Sequence, residues 1–215
     1  MKRLLILFLL SLSMMSLSAK SVREMWLSMP DSIIPYLNNN QRIELVDFVN
    51  LNVKSEVNNL LGDSTVLDTL SIDYLHLTVN PSVRIELKML PFTNADSILC
   101  MIKTLNGPEF ESIIDFYDKD WKRLPSDAMF DGVGLTGLRD NFAFIPDTLS
   151  KKRQAGFEGV LDPVLMYASL NPTTNEIIFS LSLPLMSERE KQSIREIFLP
   201  KKFKWTGKVF KSVMI

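Results

Sequence analysis

Strict alternation over Val83 to Met89 constrains this chain more than any other stretch. Val83, Ile85, Leu87 and Met89 fall on one side, and Arg84, Glu86 and Lys88 on the other. Side chains of a strand point alternately to opposite faces, so this period of two predicts a half-buried strand of an antiparallel sheet. Asn80-Pro81 interrupts the pattern just before it. Proline cannot donate to a ladder, so a turn falls there and Leu70 to Pro91 reads as a hairpin. The same grammar returns from Val164 to Met186: an apolar strand, Asn171-Pro172, an alternating strand, then Leu183-Pro184. This echo predicts an internal duplication in which Val83/Ile85/Leu87 and Ile177/Phe179/Leu181 face equivalent cores. The groove between the halves is then the first place to seek a ligand.

Around these hairpins the other elements take their places. Pro30 and Pro35 divide Ser21 to Leu37 into short helical turns. From Asn40 to near Asn50 or Asn52, Ile43, Val46 and the pair Asp47-Phe48 recur at helical spacing, widened by Leu45 and Val49. Arg42, Glu44 and Asp47 are then expected on the solvent side of an amphipathic helix. Ser97 to Leu105 is almost continuously apolar, as in a strand covered on both faces. Asn106-Gly107-Pro108 turns the chain into a strand over Phe110 to Tyr117, and Asp118-Lys119-Asp120 turns it again into Trp121 to Leu124. Pro125 to Arg153 reads as an irregular connection with one short strand, Asn141 to Ile145. Ser187 and Glu190 have capping-box spacing, opening a helix that runs to Phe198 before Pro200. A last strand is predicted over Phe203 to Phe210.

The expected fold class is α+β. Mostly antiparallel sheets in two half-units, about Leu70–Leu124 and Phe157–Phe210, pack with an N-terminal helix and a helix near residues 187–198. The corresponding segments are a leader over 1–18, an N-terminal helical segment over 19–64, a first β-rich half over 65–125, an irregular connection over 126–156 and a second α+β half over 157–215.

The leader is a signal peptide by its three parts: Lys2 and Arg3, the apolar run Leu4 to Leu10, and small residues Ser16 and Ser18 ahead of a cut beside Ala19. Its unbroken apolar run is far short of the roughly 20 residues that span a bilayer, so the mature chain is expected to carry no membrane span. The only cysteine, Cys100, cannot form an intramolecular disulfide. With 24 basic against 25 acidic residues, and two of the basic ones in the leader, nothing concentrates the positive charge that nucleic acid demands.

Three stretches carry a resemblance: MPDSIIPYLNNNQRIELVDF (Met29 to Phe48), DYL (Asp73 to Leu75) and FYDKDW (Phe116 to Trp121). They resemble an uncharacterised family of secreted proteins from Bacteroides-type bacteria, domain-of-unknown-function family 3256, over nearly all of the mature chain. The resemblance implies a secreted, periplasmic setting and no particular activity or catalytic residue.

Candidate chemistry is sparse. Gly132-Val133-Gly134-Leu135-Thr136-Gly137 matches the dinucleotide-binding glycine pattern, but no parallel strand precedes it and no adequate helix is expected to follow, so it reads as a loop and no cofactor is expected. His76, the only histidine, rules out two-histidine zinc motifs within one chain and is the one candidate catalytic base. It is expected on a strand face with Ile72, Tyr74 and Thr78, where a hydrogen-bonded sheet residue competes with that role. Cys100, alternating with Ile98 and Ile102, reads as a small core hydrophobe. Asp115, Asp118 and Asp120 lack the glycine and terminal glutamate of a calcium loop and read as turn chemistry. Glu109 and Glu111 share a strand face, but nothing distinguishes them from the other acids.

No catalytic, cofactor or metal site is therefore assigned. The expected function is a secreted, non-enzymatic binding or interaction protein, periplasmic or extracellular once the leader is removed, with an unknown protein or small-molecule partner. The alternatives are an extracytoplasmic hydrolase using scattered carboxylates and a subunit of a cell-envelope assembly. A deep polar cleft would favour the enzyme, and a shallow or apolar concavity the binding protein.

Overall fold

The computed structural model describes residues 20–93, 96–132, 134–143, 164–183, 186–195 and 198–213. The leader and residues 144–163 lie outside the described residues. Two antiparallel meanders make the frame. In the first, β1 (Glu56–Asn58), β2 (Ser64–Leu70), β3 (Tyr74–Asn80), β4 (Val83–Pro91), β5 (Ser97–Asn106), β6 (Phe110–Tyr117) and β7 (Arg123–Leu124) pair in chain order. In the second, β8 (Leu165–Leu170), β9 (Glu176–Ser182), β10 (Lys201–Trp205) and β11 (Phe210–Val213) do the same. Both Asn-Pro pairs sit in turns. The side-chain oxygen of Asn80 accepts the Ser82 N–H at 2.9 Å, and that of Asn171 accepts the N–H groups of Thr173 and Thr174 at 2.9 and 3.0 Å.

The seven-stranded sheet has two covered faces. On one, Leu75, Leu77, Ile85, Leu87 and Met89 pack under α1 (Val22–Leu27) and α2 (Asn39–Asn50) with Met25, Trp26, Leu45 and Val46. On the other, Leu90, Ile98, Cys100, Ile102, Ile114 and Phe116 meet Met166, Ala168, Ile177, Phe179 and Phe203 of the four-stranded sheet. Phe130 joins this second core by a single bridge to Phe210, its ring 5.4 Å from that of Phe210 and 5.7 Å from that of Phe179. The result is a mainly-β α+β fold in three layers.

The double cover corrects the half-buried reading of β4. Its apolar side faces the helices as expected, but Glu86 and Lys88 on the other side are buried beneath the four-stranded sheet. Alternation records which residues share a face; it does not record whether that face is wet.

The helices bring further corrections. In α2 it is Arg42 that turns inward, 1% exposed, while Ile43 turns out. The guanidinium donates from Nη1 to Asp31 Oδ1 at 2.8 Å and to the Leu37 carbonyl at 2.7 Å, and from Nη2 to the Met29 carbonyl at 2.6 Å. It thus gathers the loop that precedes α2, a task no apolar side chain could perform. The glycine cluster opens a 10-residue helix, α3 (Gly134–Ala143), so Asn141 belongs to a helix where a strand was expected. Packing of Leu138 and Phe142 into the inter-sheet core holds it there. The final strand is a hairpin, β10 and β11, turning at Gly207 with a φ of +94°. The helix near 187–198 is α4 (Glu188–Arg195).

The expected duplication is not found. The β3–β4 hairpin lies in the middle of the large sheet, whereas β8 is an edge strand of the small one. Val83, Ile85 and Leu87 face the helical layer, but Ile177, Phe179 and Leu181 face the inter-sheet core. The echo is turn chemistry, and the junction between the sheets is a packed core in place of a groove.

Candidate functional site

The only histidine lies in a polar cluster assembled by strand register. Three directly opposed pairs, Tyr74 with Lys88, His76 with Glu86 and Thr78 with Arg84, lie on the face of β3 and β4 turned toward the small sheet. A bulge in β2 adds a residue from a third strand. The register slips between Leu67, opposite Leu77, and Thr69, opposite His76, leaving Asp68 as the extra residue. A bulge re-aims its side chain. Asp68 Oδ2 accepts from Thr78 Oγ1 at 2.7 Å and lies 3.2 Å from His76 Nδ1. The side chains of His76 and Asp68 keep 28% and 36% of their exposure, so this corner of the cluster touches solvent.

The neighbouring corner is dry. Glu86 accepts from the Tyr74 hydroxyl at 2.8 Å and from the Leu170 N–H at 3.3 Å. Burial pushes its carboxyl above the usual range, and these two hydrogen bonds, with His76 and Arg84 nearby, offset part of that rise. Burial and then the Glu86 carboxylate push the Tyr74 phenol far upward. Lys88 is wholly buried, with Nζ 2.8 Å from Asp73 Oδ2, 2.9 Å from the Pro172 carbonyl and 5.9 Å from the Tyr74 ring centre. A buried ammonium needs such an anion and acceptor to stay charged.

Chemically, this dry corner is a joint between the sheets. Because β8 is an edge strand, its outward N–H groups need partners. Ala168 N–H finds Ser112 Oγ at 2.9 Å, and Leu170 N–H finds Glu86. The wet corner holds an imidazole whose Nδ1 is oriented by a carboxylate. Among the described residues no side chain hydrogen-bonds its Nε2.

The other sequence candidates are spent on structure. Asp127 Oδ1 accepts the N–H groups of Leu135 and Thr136 at 3.0 and 3.2 Å, taking the place at the N-terminus of α3 where a phosphate would sit. A Cβ at Gly134 (φ +65°) would stand 3.3 Å from the Asp127 side chain, which explains that glycine without a nucleotide. Cys100 is fully buried, and burial raises its thiol well above the ordinary value. Asp118 Oδ1 accepts the N–H groups of Asp120 and Lys122, both at 2.9 Å, and Asp115 pairs with Arg123. Glu109 pairs with Lys191, and Glu111 lies 3.8 Å from Arg139. Among the described residues no group of three histidine, cysteine or acidic side chains could hold a metal ion. No helix among them is long and apolar enough to cross a membrane.

A second feature lies on the opposite side of the molecule. The outer face of α2 carries a shallow concavity of about 310 Å³ lined by Asn40, Ile43, Glu44, Asp47, Phe48 and Leu51. Ile43 is 40% exposed and Leu51 68%. It was hidden in the sequence by the exchange of Arg42 and Ile43. The signal for that exchange is that Arg42, Leu45, Val46 and Val49 share one arc of a helical projection, which putting Ile43 in place of Arg42 would widen.

Comparison with known proteins agrees with the fold and gives no activity. No curated protein matches the sequence. A solved structure, described as a domain of an uncharacterized protein from Porphyromonas gingivalis W83, superposes with a TM-score of 0.72 at 23% identity. The superposition covers 89% of this chain and 98% of that one. The profile of the family described as "Protein of unknown function (DUF3256)" matches residues 14–210. With the profile covering nearly the whole length, the chain belongs to the DUF3256 family.

Proposed function

We propose that this chain is a secreted, periplasmic binding or interaction protein, without catalysis, that meets its partner through the outer face of α2. The observation that carries this reading is the open concavity there, with Ile43 and Leu51 exposed beside Phe48. Burying apolar side chains such as these is what most often drives association. The leader supports the address: Lys2 and Arg3, an apolar core and a small-residue exit have the three-part pattern of an export signal.

Photo-crosslinking in the native cell envelope tests this. A crosslinker at Asn40 should yield a discrete product, and one at Lys204, on the small sheet, should not. Equal or absent yields from the two sites would sink the reading. The N-terminus of the exported chain should be Ala19 or Lys20.

One observation favours the hydrolase alternative, namely the Asp68–His76 pair, which would leave Nε2 as a base. Asp68 is shared with Thr78, however, and the buried neighbours Glu86 and Lys88 are committed to the backbone of the small sheet.

A further inference from the structure

We infer that the occupant of the α2 face is a basic amphipathic helix of a partner protein, an inference that rests on the binding function proposed above. The lining of the concavity falls into two rows at intervals of four: Asn40, Glu44 and Phe48 in one, Ile43, Asp47 and Leu51 in the other. Rows at i±4 are the ridges of a helix surface, and the channel between two of them accepts a ridge of a second helix. A helix laid there would place apolar anchors against Ile43, Phe48 and Leu51, the common helix-in-groove mode.

Charge selects which helix. Glu44 and Asp47 are exposed within the channel, and neither enters an ion pair among the described residues. The one basic residue of α2, Arg42, is turned inward and held by Asp31. Asp47 also lies in the last turn, near the negative end of the helix dipole, where a cation is favoured. Arg23 bonds to Asn50 Oδ1 at 3.0 Å, outside the lining of the channel. A second copy of this chain would bring two acidic faces together, and an anionic lipid surface would repel them. Lysines or arginines flanking an apolar seam complement the face.

The test uses the mature chain and three labelled helical peptides with one leucine seam, flanked by lysine, glutamine or glutamate. Fluorescence anisotropy should show the lysine peptide binding at least tenfold tighter than the glutamate peptide, with the gap closing as salt rises. Glu44→Lys/Asp47→Lys should invert the order, and Ile43→Asp should abolish binding of all three while the circular dichroism spectrum is retained. Equal binding of all three peptides would overturn the charge argument alone. Binding of none would overturn the helical partner, while the crosslinks from Asn40 would still decide the binding function separately. Concentration-dependent dimers lost in Ile43→Asp, or binding to phosphatidylglycerol vesicles, would each overturn the inference in favour of another occupant.

Discussion

Glu86 and Lys88, two residues apart on β4, hold two backbone groups two residues apart at the end of β8: the carboxylate accepts the Leu170 N–H and the ammonium donates to the Pro172 carbonyl. One strand of the large sheet thus presents an anion and a cation, in register, to a donor and an acceptor of the small one. Asp73 balances the ammonium and Tyr74 donates to the carboxylate, so both charges are buried with partners.

Removing the cation should therefore loosen the joint. Lys88→Met keeps the length and apolar stem but strips the Pro172 carbonyl and Asp73 of their partner. A loss of about 1.5–3 kcal/mol is expected, the range for hydrogen bonds to charged groups. Urea unfolding checks this, and an unchanged midpoint would refute the clamp.

The anion should give the joint a pH dependence of defined sign. The folded state raises the Glu86 carboxyl above its ordinary value of 4.5, so the folded protein binds that proton more tightly than the unfolded chain. Stability from this group is greatest at acid pH and is lost as pH rises from about 4.5 through the raised folded value, then stays level. Glu24, whose carboxyl is lowered first by its backbone hydrogen bond with Ser21, slopes the other way. The quantity to measure is thus the difference between wild type and Glu86→Gln. It should shift in favour of wild type as pH falls from 7 toward 4.5.

At α3, Asp127→Ala removes the carboxylate that accepts from Leu135 and Thr136. Loss of a helix N-cap of this type costs typically about 1 kcal/mol. Thermal unfolding should show the loss, and Asp127→Asn should recover much of it because an amide oxygen also accepts.

His76→Gln should leave partner binding intact and lower stability by less than about 1 kcal/mol, since its contact with Asp68 is partly exposed and such surface contacts contribute little. Loss of binding or of any hydrolytic activity by orders of magnitude, at unchanged stability, would move the functional site to the Asp68–His76 corner.

Much of the fold was legible in period and punctuation. Alternation at Val83–Met89, the apolar run Ser97–Leu105 and the Asn-Pro turns correspond to β4, β5 and the hairpins on either side of them. What escaped has specific causes. Asp68 was invisible as a neighbour of His76 because a bulge changes the parity of β2, which simple alternation cannot anticipate. Glu86 and Lys88 looked wet because their cover comes from β8 and the turn after it, more than 80 positions away. Arg42 looked exposed because it is charged, yet three partners on the preceding loop take up its two terminal nitrogens, Nε alone staying buried without one. The helix at Gly134–Ala143 is not legible in a glycine-rich stretch, since glycine is a poor helix former; Asp127 and the packing of Leu138 and Phe142 override that propensity.

The Ser112 and Glu86 contacts to β8 also bear on how the chain emerges from synthesis. Every strand of both sheets pairs with its neighbour in sequence, so the large sheet, complete by Leu124, can close through short loops before residue 165 is made. The unprotected edge of β8 then appears only after the two side chains that occupy it are already in place. A nascent chain so ordered has little time to offer that edge to another copy of itself, which is the usual route from an open strand to an aggregate.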